Sequence, residues 1–277
     1  MLPDSSPLAP GDYVLAVDKP AGVTSHDVVV AVRRRLPGRT RVGHAGTLDP
    51  FATGLLLVLV GRATRTQRFL MALPKRYEVA ARFGATSTTG DPEGEIVQTG
   101  RVPDADLPLP TGRLTQRPPA YSALKVGGRR AYQLAREGTP VRPPAREVEV
   151  YRFDERWRRG DRRGFAIECS SGTYVRSLIA ELGDAYCETL RRTAIGRFDV
   201  AAADPSAPIA LGDALDFLPE VRLDADGGRR AGHGQTVARG TTFDDDRTVR
   251  LTDLHGLVAL AEPMPGGEAL RPVVGFR

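Results

Sequence analysis

The sequence predicts an α+β protein: a mixed, largely antiparallel sheet with flanking helices over residues 1–215, then a small β-barrel-like domain over residues 216–277. Three observations carry that expectation. Stretches such as "RYEVAARFG" and "REVEVYRFDERWRRGDRRGFAIECSSG" alternate apolar and polar residues as half-buried strands do. No glycine fingerprint of a dinucleotide site and no strict strand–helix–strand alternation is present, which disfavours a doubly wound fold. Beyond "AAADPSAPIALGDALDFLPEV" the composition shifts to short strand-like runs between Gly- and Asp-rich turns, the pattern of a small barrel.

Taken in order, "DYVLAVDKPAG" reads as a short strand ending in a Lys-Pro turn. "TSHDVVVAVRRRLPG" reads as a helix: Thr24 and Asp27 have capping-box spacing, Val28, Val29, Val32 and Leu36 form the apolar stripe, and Pro37-Gly38 stops it. "GLLLVLVG" is apolar enough to be a buried strand, and "RATRTQRFLMALP" is a short helix ending before Pro74. In "RYEVAARFG", Tyr77, Val79, Ala81 and Phe83 share one face. "ATSTTGDPEGEIV" is turn-rich and then re-enters a strand, and the Pro- and Gly-rich text from "RVPDADLPLPTG" to "QRPPAYSALKVGG" predicts a long loop. "RRAYQLAREG" predicts a helix closed by Gly138. A hairpin follows with its tip at residues 160–164, and then a helix over "TYVRSLIAELGDAYC", where Val175, Leu178, Ile179 and Leu182 are spaced i, i+3, i+4, i+7.

At 277 residues, 41% hydrophobic and 26% charged, the chain can bury a sizeable globular core. No segment approaches the ~18 consecutive apolar residues of a membrane span, and the N-terminus lacks the basic and apolar regions of a secretion signal. The two cysteines, Cys169 and Cys187, form neither a disulfide framework nor a zinc site and are expected to be buried thiols. A cytoplasmic protein is expected. The net charge of +5 is modest but unevenly distributed. Residues 113–146 carry eight basic residues, among them Arg129 and Arg130, against the single acid Glu137, and Arg33, Arg34, Arg35, Arg39 and Arg41 form a second cluster. Two such blocks suit either a solvated face or a polyanion, and Arg grips phosphate in a bidentate fork.

No Walker loop, paired-cysteine motif or nucleophile elbow is present, and the four histidines, His26, His44, His233 and His255, have no ligand spacing. Neither a metal nor a cofactor is expected. One carboxylate is unusual: Asp49, in "GHAGTLDPFATG", stands among small and apolar residues directly before the buried strand. Asp before Pro near Gly commonly starts a turn, and on local sequence that is the commoner reading. Against it, Gly43, Gly46 and Gly54 would allow close backbone approach, and Arg62, Arg65 and Arg68 follow the strand. An ionised carboxylate can also attack an electrophilic carbon without a cofactor. If partly buried it needs a cation to stay charged. Arg176, in "GTYVRS", is the candidate, although it lies off the 175/178/179/182 stripe, where a surface position is the plain reading.

"GHAGTLDPFATG" resembles the catalytic loop of the TruB family of tRNA pseudouridine synthases. "LAVDKPAGVTSHDVV" resembles that family's opening strand, "PKRYEV" its Lys-Arg-Tyr motif, "PPAYSALKVGGRRAYQLAREG" its RNA-facing segment, and "ECSSGTYVRSLIAELG" with "LRRTAIGRF" its Gly-Thr-Tyr-x-Arg region. These occur in family order over residues 12–200, and the C-terminal strands resemble, more weakly, a small PUA domain. The resemblance implies isomerisation of uridine 55 in the T-loop of tRNA by base flipping. It assigns Asp49 as the nucleophile, Tyr77 as the platform under the uracil and Arg176 as the partner of Asp49. Tyr174 and Leu190 would line the base pocket, His44 would sit near the flipped nucleotide, and Lys19 with Pro20 would buttress the loop. Arg129 and Arg130 would contact the RNA. It further implies a tRNA T-stem-loop as partner, no obligatory protein partner, no membrane association, a monomer, and room for a tRNA-folding role beside catalysis. Only "PLPTGRLTQ" stands where many members carry a longer, helix-bearing insertion, and Ala45 and Phe51 stand where Thr and Leu are common.

Overall fold

The computed structural model describes residues 6–119, 125–130, 134, 137, 139, 141, 143–239 and 247–277. The chain opens with strand β1 (Tyr13–Lys19) and helix α1 (Ser25–Arg34). Thr24 caps α1: its side chain accepts from the Asp27 amide at 3.1 Å, while Asp27 Oδ2 accepts from the Thr24 amide at 2.8 Å, satisfying two donors that a helix start leaves open. β2 (Val42–His44) then pairs with β3 (Thr53–Val60), and a 3₁₀ turn leads into α2 (Gln67–Ala72). β3 is apolar from Leu55 to Val60 because it is covered on both faces there. Leu55, Leu57 and Leu59 enter one core with Leu70 and Ile195, while Leu56, Val58 and Val60 pack with Val28 and Val32 of α1.

β4 (Lys75–Phe83) carries Tyr77, Val79, Ala81 and Phe83 on the face expected. Beyond β5 (Ala85–Ser87) and β6 (Ile96–Gln98), a paired pair of short strands, the expected long loop contains a strand, β7 (Gly112–Gln116). β8 (Lys125–Val126) and β9 (Arg129–Arg130) pair with each other. The helix expected over residues 129–138 and its Gly138 stop otherwise lie almost wholly outside the described residues. β10 (Arg146–Arg159) and β11 (Arg162–Cys169) form the expected hairpin with a tighter tip, because Gly164 already belongs to β11 opposite Trp157.

The next helix, α3 (Val175–Ala180), is shorter than expected. Gly183, at φ +137°, turns the chain, and Cys187 lies instead on β12 (Ala185–Ile195). β13 (Phe198–Asp199), β14 (Ile209–Ala210) and α4 (Leu211–Ala214) follow. The main sheet runs β14-β1-β3-β12-β4-β11-β10-β7, with β13 on β12 and β2 on β3. Among the described residues its single parallel pair is β3 with β12, so the mixed, largely antiparallel expectation holds. Both cysteines are buried and free.

The C-terminal part has β15 (Glu220–Arg222), α5 (Ala225–Gly232), β16 (Val237–Ala238), β17 (Val249–Asp253), β18 (Gly256–Pro263) and β19 (Ala269–Gly275). These strands form a second sheet in the order β15-β17-β18-β19-β16, compatible with the barrel-like unit expected. The sequence pattern missed α5, whose two internal glycines weaken a helical reading. Leu260, Val274 and Phe276 enter the same core as Leu55 and Leu57. Arg65 donates to the Gly275 carbonyl at 2.8 Å, and Arg68 pairs with Glu262 at 2.9 Å. The arginines that follow β3 thus secure the second sheet and the N-terminus, where Arg62 pairs with Asp12 at 2.7 Å. No helix among the described residues is long and apolar enough to cross a membrane.

Candidate active site

The loop between β2 and β3 is a turn in its backbone and something else in its side chain. The Asp49 carbonyl accepts from the Ala52 amide at 3.2 Å, as a turn requires. The carboxylate points away from that turn: its Oδ2 lies 2.9 Å from Arg176 Nε. The backbone of Asp49 thus serves the turn while its side chain is engaged by a distant arginine.

Arg176 is buried, with only 4% of its side chain exposed, against 32% for Asp49. Its position off the helix stripe reflects a third element. Asp91, in the turn between β5 and β6, is also buried, and its Oδ2 accepts from Arg176 Nη1 at 2.8 Å. The Thr89 carbonyl accepts from the same nitrogen at 2.6 Å. Asp91 Oδ1 meanwhile closes its own turn, accepting from Thr89 Oγ1 at 2.5 Å and from the Glu93 amide at 3.0 Å. One guanidinium thus bridges two carboxylates of different character: Asp91 is sealed and fully hydrogen-bonded, while Asp49 keeps a third of its surface open.

Burial pushes the Asp49 carboxyl above its ordinary value of 3.8, and the negative charge of Asp91 adds to that push. Arg176 and Lys19 pull in the opposite direction. The carboxyl is thus held with less solvation than water would give it, while Arg176 and Lys19 favour its charged form.

Lys19 lies beneath the loop, fully buried, donating from Nζ to the carbonyls of Pro20 at 2.9 Å, Val23 at 2.8 Å and Pro50 at 3.2 Å. Burial draws its amine down to about 8, opposed by the charge of Asp49. Lys19 thus ties the Pro50 carbonyl of the loop to the turn that follows β1. Lys19→Met should lower the unfolding free energy by about 2–4 kcal/mol, because carbonyls lose their donor and stay covered. Urea denaturation of the two proteins checks this.

Tyr77 lies on β4 within electrostatic reach of Asp49 and of the guanidinium of Arg192. Burial raises the phenol above its ordinary value of 10, so it stays neutral. Arg192, almost fully buried on β12, donates to the carbonyls of Leu55 at 2.8 Å and Gly46 at 3.0 Å, tying the Asp49 loop to the sheet that carries Tyr77. Leu190 is buried on β12 opposite Val79 and packs in the cluster that includes Leu48, Phe51 and Tyr77. Tyr174 precedes α3 and is clasped by the buried Gln116, which donates to its carbonyl at 3.0 Å and accepts from its amide at 2.7 Å. The Arg146 guanidinium lies 4.9 Å above its ring.

His44 ends β2 opposite Val58, its carbonyl accepting from Gln67 at 2.7 Å. Arg129 pairs with Glu137 at 2.5 Å at the exposed β8–β9 turn, and the side chain of Arg130 lies outside the described residues. The structure thus joins Asp49, Arg176, Tyr77 and Lys19 through charge and hydrogen bonds, with Leu190 packed beside them. Sequence reasoning missed Asp91, Arg192 and Gln116. A groove of about 850 Å3 beside the loop is lined by Phe51, Leu190, Trp157 and Arg156, among others. Among the described residues no three His, Cys, Asp or Glu side chains gather as metal ligands.

A family model described as TruB family pseudouridylate synthase (N terminal domain) matches residues 33–175. The chain is 45% identical over 211 residues to tRNA pseudouridine synthase B of Mycobacterium tuberculosis (strain ATCC 25618 / H37Rv), covering 70% of each chain. It is 43% identical over 256 residues to tRNA pseudouridine synthase B of Thermobifida fusca (strain YX), covering 82% of this chain and 87% of that one. Among solved structures, an H/ACA RNP bound to a substrate RNA containing 2'-deoxyuridine matches with a TM-score of 0.69 at 22% identity, over 96% of this chain and 85% of that chain. The archaeal box H/ACA sRNP Nop10-Cbf5 complex matches with a TM-score of 0.68 at 22% identity, over 96% and 86%. The likeness to these structures concerns the fold, whereas the sequence relatives and the matched segment concern descent: the chain belongs to the TruB family of pseudouridylate synthases.

Proposed function

We propose that this protein isomerises uridine 55 in the T-loop of tRNA to pseudouridine, with Asp49 as the attacking carboxylate. The observation that carries the reading is the asymmetric bridge of Arg176, which holds a partly open Asp49 against a sealed Asp91. The names of the family's relatives supply the tRNA substrate and the reaction. A loop uridine is stacked, and extruding it costs a few kcal/mol. Stacking on an aromatic platform returns about 1–3 kcal/mol, and Tyr77 is a neutral aromatic at the edge of the core beside Asp49. Tyr174 and Leu190 would bound the base and His44 would stand by the extruded nucleotide, with Arg129 and Arg130 near the phosphates.

The reaction conserves composition. The bond from ribose C1′ to uracil N1 breaks, a bond from C1′ to C5 forms, C5 gives up its proton and N1 gains one. Asp49 is regenerated whichever atom it engages first. Arg176 would keep it ionised between turnovers, and Lys19 would hold its loop. The catalytic part would span residues 1–215 and a PUA-like RNA-binding unit residues 216–277. The enzyme would act as a monomer on tRNA in the cytoplasm.

Incubating an unmodified tRNA transcript with the wild type and with Asp49→Asn, then mapping pseudouridine by chemical labelling and primer extension, tests the reading. The wild type should modify the T-loop uridine, and Asp49→Asn, which keeps shape but removes the anion, should give no detectable product. A wild type that leaves that uridine untouched, or an Asn variant of normal rate, would falsify it.

A further inference from the structure

The backbone on either side of Asp49 is held by the turn that joins β1 to α1. On the C-terminal side, the Pro50 carbonyl accepts from the Gly22 amide at 2.9 Å and from Lys19 Nζ at 3.2 Å. On the N-terminal side stands Ser25, the first residue of α1, with 2% of its surface exposed. Its Oγ accepts from the Leu48 amide at 2.8 Å and lies 3.2 Å from the Leu48 carbonyl oxygen, to which it donates. One hydroxyl thus serves both the donor and the acceptor of a single buried residue.

We propose that Ser25 is a positioning residue for catalysis, fixing the peptide that joins Leu48 to Asp49 and so the direction in which the Asp49 carboxylate leaves the backbone. The inference rests on the reading of Asp49 as the attacking group. The Leu48 carbonyl belongs to the peptide that sets φ of Asp49. The ring of Pro50 restricts ψ of the residue before it to extended values. Ser25 on one side and Pro50 on the other therefore leave Asp49 only its side-chain torsions, and Arg176 takes up those. Each constraint comes from a different part of the chain, and Ser25 supplies the one that proline cannot. Thr24 and Asp27 secure the first turn of α1 through their capping box, which directs Ser25 inward onto the loop.

Misplacing a reacting group by about 1 Å costs on the order of a hundredfold in rate, whereas affinity for the RNA depends on the wider phosphate-contacting surface. The two effects can be separated. The test compares wild type, Ser25→Ala and Ser25→Cys, the last keeping the bulk of the side chain but only weak hydrogen bonding. Melting curves establish which variant is folded at the assay temperature. Single-turnover pseudouridine formation in excess enzyme then gives the rate, titration gives the tRNA dissociation constant, and the series is repeated from pH 5 to 8.

The folded variant should lose roughly ten- to a hundredfold in single-turnover rate, keep its dissociation constant within about twofold, and show its acid limb displaced to higher pH as the Asp49–Arg176 pair loosens. A wild-type rate, or a defect that lies in tRNA affinity alone, would overturn the inference while leaving Asp49→Asn inactive and the proposed function intact. If Asp49→Asn proved active, the reading of Asp49 would fail and this inference with it.

Discussion

Arg176→Ala is expected to lower the single-turnover rate of pseudouridine formation by about 10²- to 10⁴-fold. Leaving one charge of a buried ion pair uncompensated costs about 3–5 kcal/mol, a penalty that falls on the ionised form of Asp49, and each 1.36 kcal/mol by which that form is disfavoured is a factor of ten in a rate that depends on it. Here the loss is compounded, because Arg176 is shared by two carboxylates. Without it, Asp49 faces burial and the charge of Asp91 with only the more distant Lys19 to oppose them. All the forces that raise its pKa then act with little to check them. On the proposed reading the attacking form is the ionised one, so a raised pKa moves the acid limb of the rate profile to higher pH, and activity is lost progressively as pH falls through it. Measuring the single-turnover rate between pH 5 and 8 reads both the amplitude and the limb. Arg176→Lys should keep part of the electrostatic effect and recover part of the rate. An ammonium is a point charge and cannot span two carboxylates as the guanidinium fork does. If Arg176→Ala kept the wild-type profile, Asp49 would not depend on this cation.

The parts of this site that were legible in sequence are those whose cause is local. The apolar run of β3, the capping box of α1 and the face of β4 that carries Tyr77 follow from periodicity within ten residues, and the structure has them where the pattern places them. β12 was not legible, although it is the strand that joins the two halves of the sheet. Its alternation is broken by register shifts between Cys187 and Thr189 and between Arg192 and Ala194, and Arg192 stands buried where an apolar residue would be expected. The same segment drew the preceding helix too far, since Leu182 keeps helical spacing while Gly183 ends the run.

The burial of Arg176 was invisible for a different reason: its partners lie 127 and 85 residues away in sequence, and only the fold brings them together. Asp91 hid in plain sight as a turn residue. One of its oxygens does what turn aspartates do, and only the other, on Arg176, shows why it is buried. Ser25 likewise looked like the second residue of a helix start. Residues that act on a site through one hydrogen bond to distant backbone leave no periodic trace.

Gly54→Ala is expected to destabilise the protein by about 2–6 kcal/mol, from backbone strain of about 1–3 kcal/mol added to an overpacking cost of about 1–3 kcal/mol. Gly54 sits at φ +105°, and a Cβ there would lie 2.2 Å from the Arg192 carbonyl oxygen and 2.8 Å from its amide nitrogen. Both obstacles are backbone, so neither can rotate aside. The two strands they belong to are β3 and β12, whose parallel pairing comprises only Arg191 with Thr53 and Arg192 with Gly54. That seam unites the half of the site built on β1, β3 and the Asp49 loop with the half built on β4 and α3. Pushing Arg192 back would also disturb its bonds to Leu55 and Gly46. Stability and rate should therefore fall together, with a lower urea midpoint and slower turnover in whatever fraction folds. Gly43→Ala is the control, since its added Cβ would meet nothing closer than Thr64 Cγ2 at 3.7 Å. It lies in the same loop motif, and it should leave the midpoint nearly unchanged. Equal effects at the two positions would mean that the motif needs flexible glycines in general. A large loss at Gly54 alone would mean that it needs one close backbone contact, the one that lets a parallel pair of two residues hold the candidate site together.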